Sequence, residues 1–349
     1  MSIRPWVMGA LLVVLAGCGS KTKAPTQPAT LVPSQVWLDL GLSTDAGGVF
    51  ALAHYKDRLV AGGSLSNVGG LSNVSLMEWD GTRWAPFAVP PRGTVESLAI
   101  HGGSLIAGFS APGDTANLLE AWDGARWLSL GSLNRIVLAM TPYKTGLAVG
   151  GQFTRVNGNY WPFIAWWDGT HWHNLGLGVI NPVHALTVFR GDLIAAGIFW
   201  EAGGRPASNI ARWDGQAWHP LGGGLDGAAM SLIVHDDRLY VGGKFDFAGG
   251  ERVNGVASWD GAKWSSLGLG LKRPTTDAVF SLTLFNGELV ATGRFPGAAA
   301  RWRGGSWKEM PGLTSTVFAS AVFDGRLVAG GTFRASNRSQ PNLVARWVE

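Results

Sequence analysis

The motif Trp-Asp-Gly-x-x-Trp recurs along the chain about every 45 residues. Full copies begin at Trp79, Trp122, Trp167, Trp213 and Trp259, and a degenerate copy runs Trp302-Arg303-Gly304-Gly305-Ser306-Trp307. Two half copies frame the series: Trp37 stands as a second Trp without a first, and Trp347 as a first without a second. Repeats of this length belong to solenoids, propellers or arrays, whose units bury a shared core by stacking on their neighbours. The repeat also accounts for the 51 Gly and 18 Trp of the 349 residues, so neither count needs a separate functional cause.

One unit, written from the fourth copy, runs from Trp172 through Val183–Phe189 and Leu193–Phe199, then a Gly-rich loop, to Asn209–Trp213. Its apolar pieces are short, rich in β-branched and aromatic residues, and bounded by Gly, Asp or Asn, which are strand and hairpin signals. The Asp-Gly steps suit turns that need φ > 0. A hairpin loop of two or four residues there would place the flanking Trp pair on one sheet face. Four strands per unit and seven units predict a seven-bladed β-propeller of antiparallel blades. The half copies predict that the N- and C-terminal strands complete one blade, closing the ring and removing exposed edges.

The first strands align without gaps. One position reads Val49, Val95, Val137, Val183, Ala229, Val279, Val317, and two residues later the series is Ala51, Ser97, Ala139, Ala185, Ser231, Ser281, Ala319. Same-parity positions share a sheet face, so a ring of small residues is expected where blades meet near the axis. The strands end in Tyr55, His101, Tyr143, Phe189, His235, Phe285 and Phe323.

A Gly-Gly after the second strand and a Trp in the fourth resemble the kelch type of propeller repeat. Gly150-Gly151-Gln152-Phe153, Gly242-Gly243-Lys244-Phe245 and Gly330-Gly331-Thr332-Phe333, with the Trp-Asp-Gly-x-x-Trp copies, are more closely similar to a bacterial Gly-Gly-x-Phe repeat. The resemblance covers nearly all of residues 36–347. It implies the propeller fold and is nearly silent on activity, since one fold hosts enzymes, scaffolds and binders alike.

The N-terminus reads as a bacterial lipoprotein signal over residues 1–17. Arg4 precedes an apolar run from Trp6 to Ala16, too short to span a bilayer as a mature helix. Leu15-Ala16-Gly17-Cys18 resembles a lipobox, which implies cleavage before Cys18 and acylation of it. Cys18 is the sole cysteine, so no disulfide forms within one chain. Polar, Pro-rich residues 18–35 read as a tether able to reach about 50 Å, and 36–349 as the propeller. Gly19 after the Cys suggests the outer membrane. The expected address is therefore the cell envelope, with the membrane contacted through the lipid anchor. A formal net charge of +4, without a Lys/Arg run, gives no footprint for nucleic acid.

Chemistry is sparse. The chain carries no His-Glu-x-x-His, Cys pair or Asp-x-Asp calcium loop, so no metal or cofactor is expected. Asp236-Asp237 read as a hairpin turn. His101 and His235 fill the aromatic strand-end position, and His171, His173 and His219 flank hairpin Trp residues. The first strands diverge at Phe50, Glu96, Leu138, His184, Met230, Phe280 and Phe318. The polar members, Glu96 and His184, are candidates at one mouth of the channel, two blades apart. The most variable element is the loop between second and third strands, with Arg155, Tyr160, Trp161 and Phe163 in blade 3. Blade 4 carries Trp200, Glu201 and Arg205 there, and blade 5 Asp246, Phe247 and Arg252. Aromatic and Arg residues are favoured at recognition surfaces, which makes Arg155, Tyr160, Trp161, Trp200, Arg205, Phe247 and Arg252 the binding candidates. The alternative for Tyr160-Trp161-Pro162-Phe163 is packing over its own blade. Lys272-Arg273-Pro274 lengthens one inter-blade connection, expected on the other face.

These features favour a monomeric, non-enzymatic envelope lipoprotein whose loop face binds a protein or glycan. Two rival readings stand beside it. One is an envelope assembly factor resembling the propeller lipoprotein of the β-barrel assembly machinery, although that protein has eight blades and a different repeat. The other is a carbohydrate-active enzyme using Glu96 and His184.

Overall fold

The computed structural model describes residues 35–44, 46–66, 68, 71–72, 74–87, 93–110, 117–271, 277–335 and 342–349. Cys18, the signal and nearly all of the tether lie outside the described residues, as do Lys272, Arg273 and Pro274.

The strands form seven antiparallel sheets of the repeat's four-strand plan, one per blade, in a seven-bladed β-propeller. The innermost strands are, in order, Ala46–Tyr55, Thr94–His101, Val137–Tyr143, Val183–Phe189, Ala228–His235, Ala278–Phe285 and Leu313–Phe323. In blade 7 the outermost strand is Val36–Asp39, paired antiparallel with Asn342–Val348. Trp37 stands opposite Trp347, their rings edge to face at 5.3 Å. The two half motifs thus rebuild one whole motif, and the ring closes on itself as the sequence predicts.

Every full motif closes a four-residue hairpin loop with the Trp pair directly opposed, as in Trp79 with Trp84 and Trp213 with Trp218. The Asp makes the loop. Oδ1 of Asp214 accepts from the backbone N–H of Gln216 and Ala217, each at 2.8 Å, and Asp80, Asp123, Asp168 and Asp260 do the same in their turns. The motif glycines sit at φ between +99° and +106°, where a Cβ is strained. The degenerate copy solves the problem differently. Arg303 pairs with Ser306, and Gly304 and Gly305 (φ +58° and +77°) form a two-residue turn of the mirror-image kind favoured in hairpins.

The second Trp of the motif bolts blades together. Trp218 Nε1 donates to the Leu175 carbonyl at 2.7 Å, just beyond the outermost strand of the preceding blade. Trp37, Trp84, Trp172, Trp264 and Trp307 reach Met310, Leu40, Leu130, Leu221 and Leu267 in the same way. The core lies mainly between blades, so each cluster of buried side chains draws on two neighbours. All seven clusters fall within residues 37–347, so the propeller carries its own core.

Near the axis the small-residue ring is present and does more than make room. Ser97 Oγ donates to the Val137 carbonyl of the next blade at 2.8 Å, Ser231 Oγ accepts from Leu282 N–H, and Ser281 meets Ser320. One feature goes beyond the sequence reading. A β-bulge interrupts the register of all seven innermost strands, between Val49 and Ala51 in blade 1 and at the matching step in every other blade. The residue between those partners is the divergent one. A bulge frees one side chain from ladder pairing, so this position varies without disturbing the sheet.

Candidate functional site

Strand direction sets two faces. The first-to-second turns and the Trp-Asp-Gly turns lie at one edge of the disc. The second-to-third loops and the inter-blade connections lie at the other, where the innermost strands begin. Glu96 and His184 therefore share a face with the hairpin candidates.

The loops are small hairpins of their own. Arg155–Val156 pairs with Asn159–Tyr160 and docks through Val156 on Leu133, extending the outer edge of blade 2. Glu201–Ala202 with Arg205–Pro206, and Phe247–Ala248 with Glu251–Arg252, repeat this on the next blades, through bridges from Ala202 to Val179 and Ala248 to Leu225. The buried Val156, Ala202 and Ala248 are the feet of these hairpins, and the residues around them point outward.

The candidates divide accordingly. Tyr160 is 65% exposed, Trp200 60% and Phe247 41%. Trp161 instead packs partly buried against the core between blades 2 and 3, and Phe163 against that between blades 3 and 4. Arg155 caps its own hairpin at the Gly158 carbonyl, 2.9 Å away. Arg252 lies 6.0 Å over the Phe247 ring and reaches Asn254 Oδ1 at 3.2 Å. Arg205 is exposed at the tip of its hairpin. A groove of about 160 Å³ runs between Tyr160-Trp161-Pro162 and Leu177, the latter 74% exposed. Leu177 comes within 3.4 Å of a Cβ placed on Gly204, so the groove adjoins the blade 4 hairpin. Leu177 is an apolar tip that the sequence reading missed, hidden because it occupies the variable position of a repeat-wide Leu-Gly-x-Gly.

At the channel mouth the bulge residues form a ring, with Phe280 and Phe318 in tilted contact at 5.6 Å and Phe318 and Phe50 edge to face at 5.5 Å, across blades 6, 7 and 1. Glu96 accepts from Ser110 Oγ at 2.8 Å, and burial pushes its carboxyl up despite that bond. Burial pushes the His184 imidazole down, with the Ala229 backbone partly offsetting it. The innermost strand of blade 3, with Leu138 at this position, stands between them. Among the described residues no hydrogen bond joins them.

The turn Asp residues take a second partner in two blades. His173 Nε2 lies 2.7 Å from Asp168 Oδ2, and His219 Nε2 lies 2.7 Å from Asp214 Oδ2. These His residues brace the motif turn, in the position next to the second Trp.

The geometry defines a closed propeller with one face of protruding hairpins. No protein-family model matches the sequence, and no curated protein does. Solved structures share the fold. The extracellular domain of a proposed one-component system, BT4673 from B. thetaiotaomicron, is 9% identical over 89% of this chain with a TM-score of 0.60, and this chain spans 39% of that one. The computationally designed protein Ika8 is 14% identical, with 89% and 100% of the two chains covered and a TM-score of 0.51. Sqt1 of Saccharomyces cerevisiae is 13% identical, covering 90% and 97%, also at 0.51.

Proposed function

We propose that this chain is an envelope lipoprotein, anchored through Cys18, whose hairpin face binds a protein or glycan. The observation that carries the reading is that successive blades raise Tyr160, Trp200 and Phe247 out of the ring's packing. Large aromatic surface left in water marks recognition sites. Arg155, Arg205 and Arg252 stand on the same hairpins. The fold is shared with an extracellular bacterial domain, which agrees with an envelope address.

The strand by which the chain enters the ring, Val36–Asp39, starts at the Trp-Asp-Gly edge.

A crosslinking pull-down from intact cells tests the proposal, comparing the parent with Tyr160→Ala plus Trp200→Ala. The result expected is a partner lost in the variant; the same partners in both samples would remove the hairpin site. Cys18→Ala should move the protein out of the membrane fraction, and retention there would remove the anchor.

A further inference from the structure

We infer that the groove at the seam of blades 7 and 1 binds an organic carboxylate through the Arg346 guanidinium. This groove, about 390 Å³, is lined by Leu38, Asp39, Leu40, Trp79, Gly81, Thr82 and Arg346, at the edge opposite the aromatic hairpins.

The propeller's own symmetry gives the reason. Arg346 stands opposite Val328 in the blade 7 ladder, as Arg212 stands opposite Ile194 and Arg301 opposite Val290. Two residues before the partner, on the same sheet face, blade 4 has Asp192 and blade 6 has Glu288. Both are used: Arg212 Nη1 meets Asp192 at 2.6 Å, and Arg301 Nε meets Glu288 at 3.2 Å. In blade 7 that position is Arg326. The acid that neutralises the arginine elsewhere has become a second arginine. Arg346 Nε is buried without a hydrogen-bond partner.

A buried guanidinium nitrogen without an acceptor is costly, and a planar carboxylate matches its fork of donors. The groove's one acid, Asp39, and Asp80 between Trp79 and Gly81 are engaged elsewhere. Asp39 pairs with Ala345, on the sheet face of Trp37 and not of Arg346, and accepts from Gly41 N–H at 2.7 Å. Asp80 is held by its own turn and lies 3.7 and 3.6 Å from Arg58 and Arg83. The lining is more polar than apolar, with Leu38, Leu40 and Trp79 contributing the apolar part, so the ligand that fits is a small organic carboxylate.

The test is calorimetric titration of the propeller, residues 35–349, with benzoate and with neutral benzamide as control. Benzoate is expected to bind saturably in the millimolar range, with no heat from benzamide. Arg346→Met should weaken benzoate at least about 10-fold. Arg326→Asp restores the pairing of blades 4 and 6, so it should also abolish benzoate binding while raising the melting temperature. Equal heats from benzoate and benzamide, or unchanged binding in either variant, would overturn the site.

Discussion

A single aspartate explains much of the repeat. In Asp80, Asp168 and Asp214 hydrogen bonds to the carboxylate hold its ionisation far below the usual range: Thr82 leads at Asp80, the His171 backbone at Asp168 and the Ala217 backbone at Asp214. Asp123 and Asp260 are lowered by the same backbone bonds. A depressed folded value means stability that is present above the unfolded value, about 3.9, and is lost as pH falls toward the folded one. The Asp80, Asp168 and Asp214→Asn triple variant keeps an acceptor oxygen but cannot titrate. Its melting temperature should therefore fall less than the parent's between pH 5 and pH 2; parallel acid limbs would contradict the account. At this scale the sequence was readable for the turn, because Asp-Gly is a local signal. It was silent on His173 and His219, whose bonds to the turn depend on how the outermost strand leaves the loop.

The blade seam is the element on which stability rests. Trp213 and Trp218 have the same side chain in one hairpin, yet only Trp218 shows an indole bond across the seam. Trp218→Phe should cost about 1 kcal/mol more than Trp213→Phe in urea denaturation, the worth of one such bond. Equal losses would reduce the second Trp to bulk. A second seam device is a size exchange. Val95, Val137, Val183, Val279 and Val49 press on Gly62, Gly108, Gly150, Gly242 and Gly330 of the preceding blade, where a Cβ would come within 2.9 Å or less. Between blades 4 and 5 the pair is Ala196 and Ala229, in one core cluster. Ala229→Val alone should destabilise by about 1–3 kcal/mol through overpacking. Adding Ala196→Gly should restore most of that loss, and additive losses would disprove the exchange. The small-residue ring was legible because its period is fixed. The bulge was not, since nothing local distinguishes an unpaired residue from a paired one of the same strand. The packing of Trp161 and Phe163 was also hidden, because an aromatic in a loop reads alike whether it lies over a core or stands in water.

For the whole molecule, the half motifs at Trp37 and Trp347 were enough to predict closure, and closure fixes which residues share a face. Function stayed least legible, since quasi-symmetry makes most residues structural and leaves the hairpin tips and the seam groove as departures. The central claim is that the hairpin face, and not the turn face, meets the partner. A photo-crosslinking residue placed in living cells at Trp200 or Phe247, and in parallel at Gly81 or Gly261, tests this most directly. The account predicts a discrete crosslinked species from positions 200 and 247 and none from 81 and 261. Capture from the turn positions alone would contradict it.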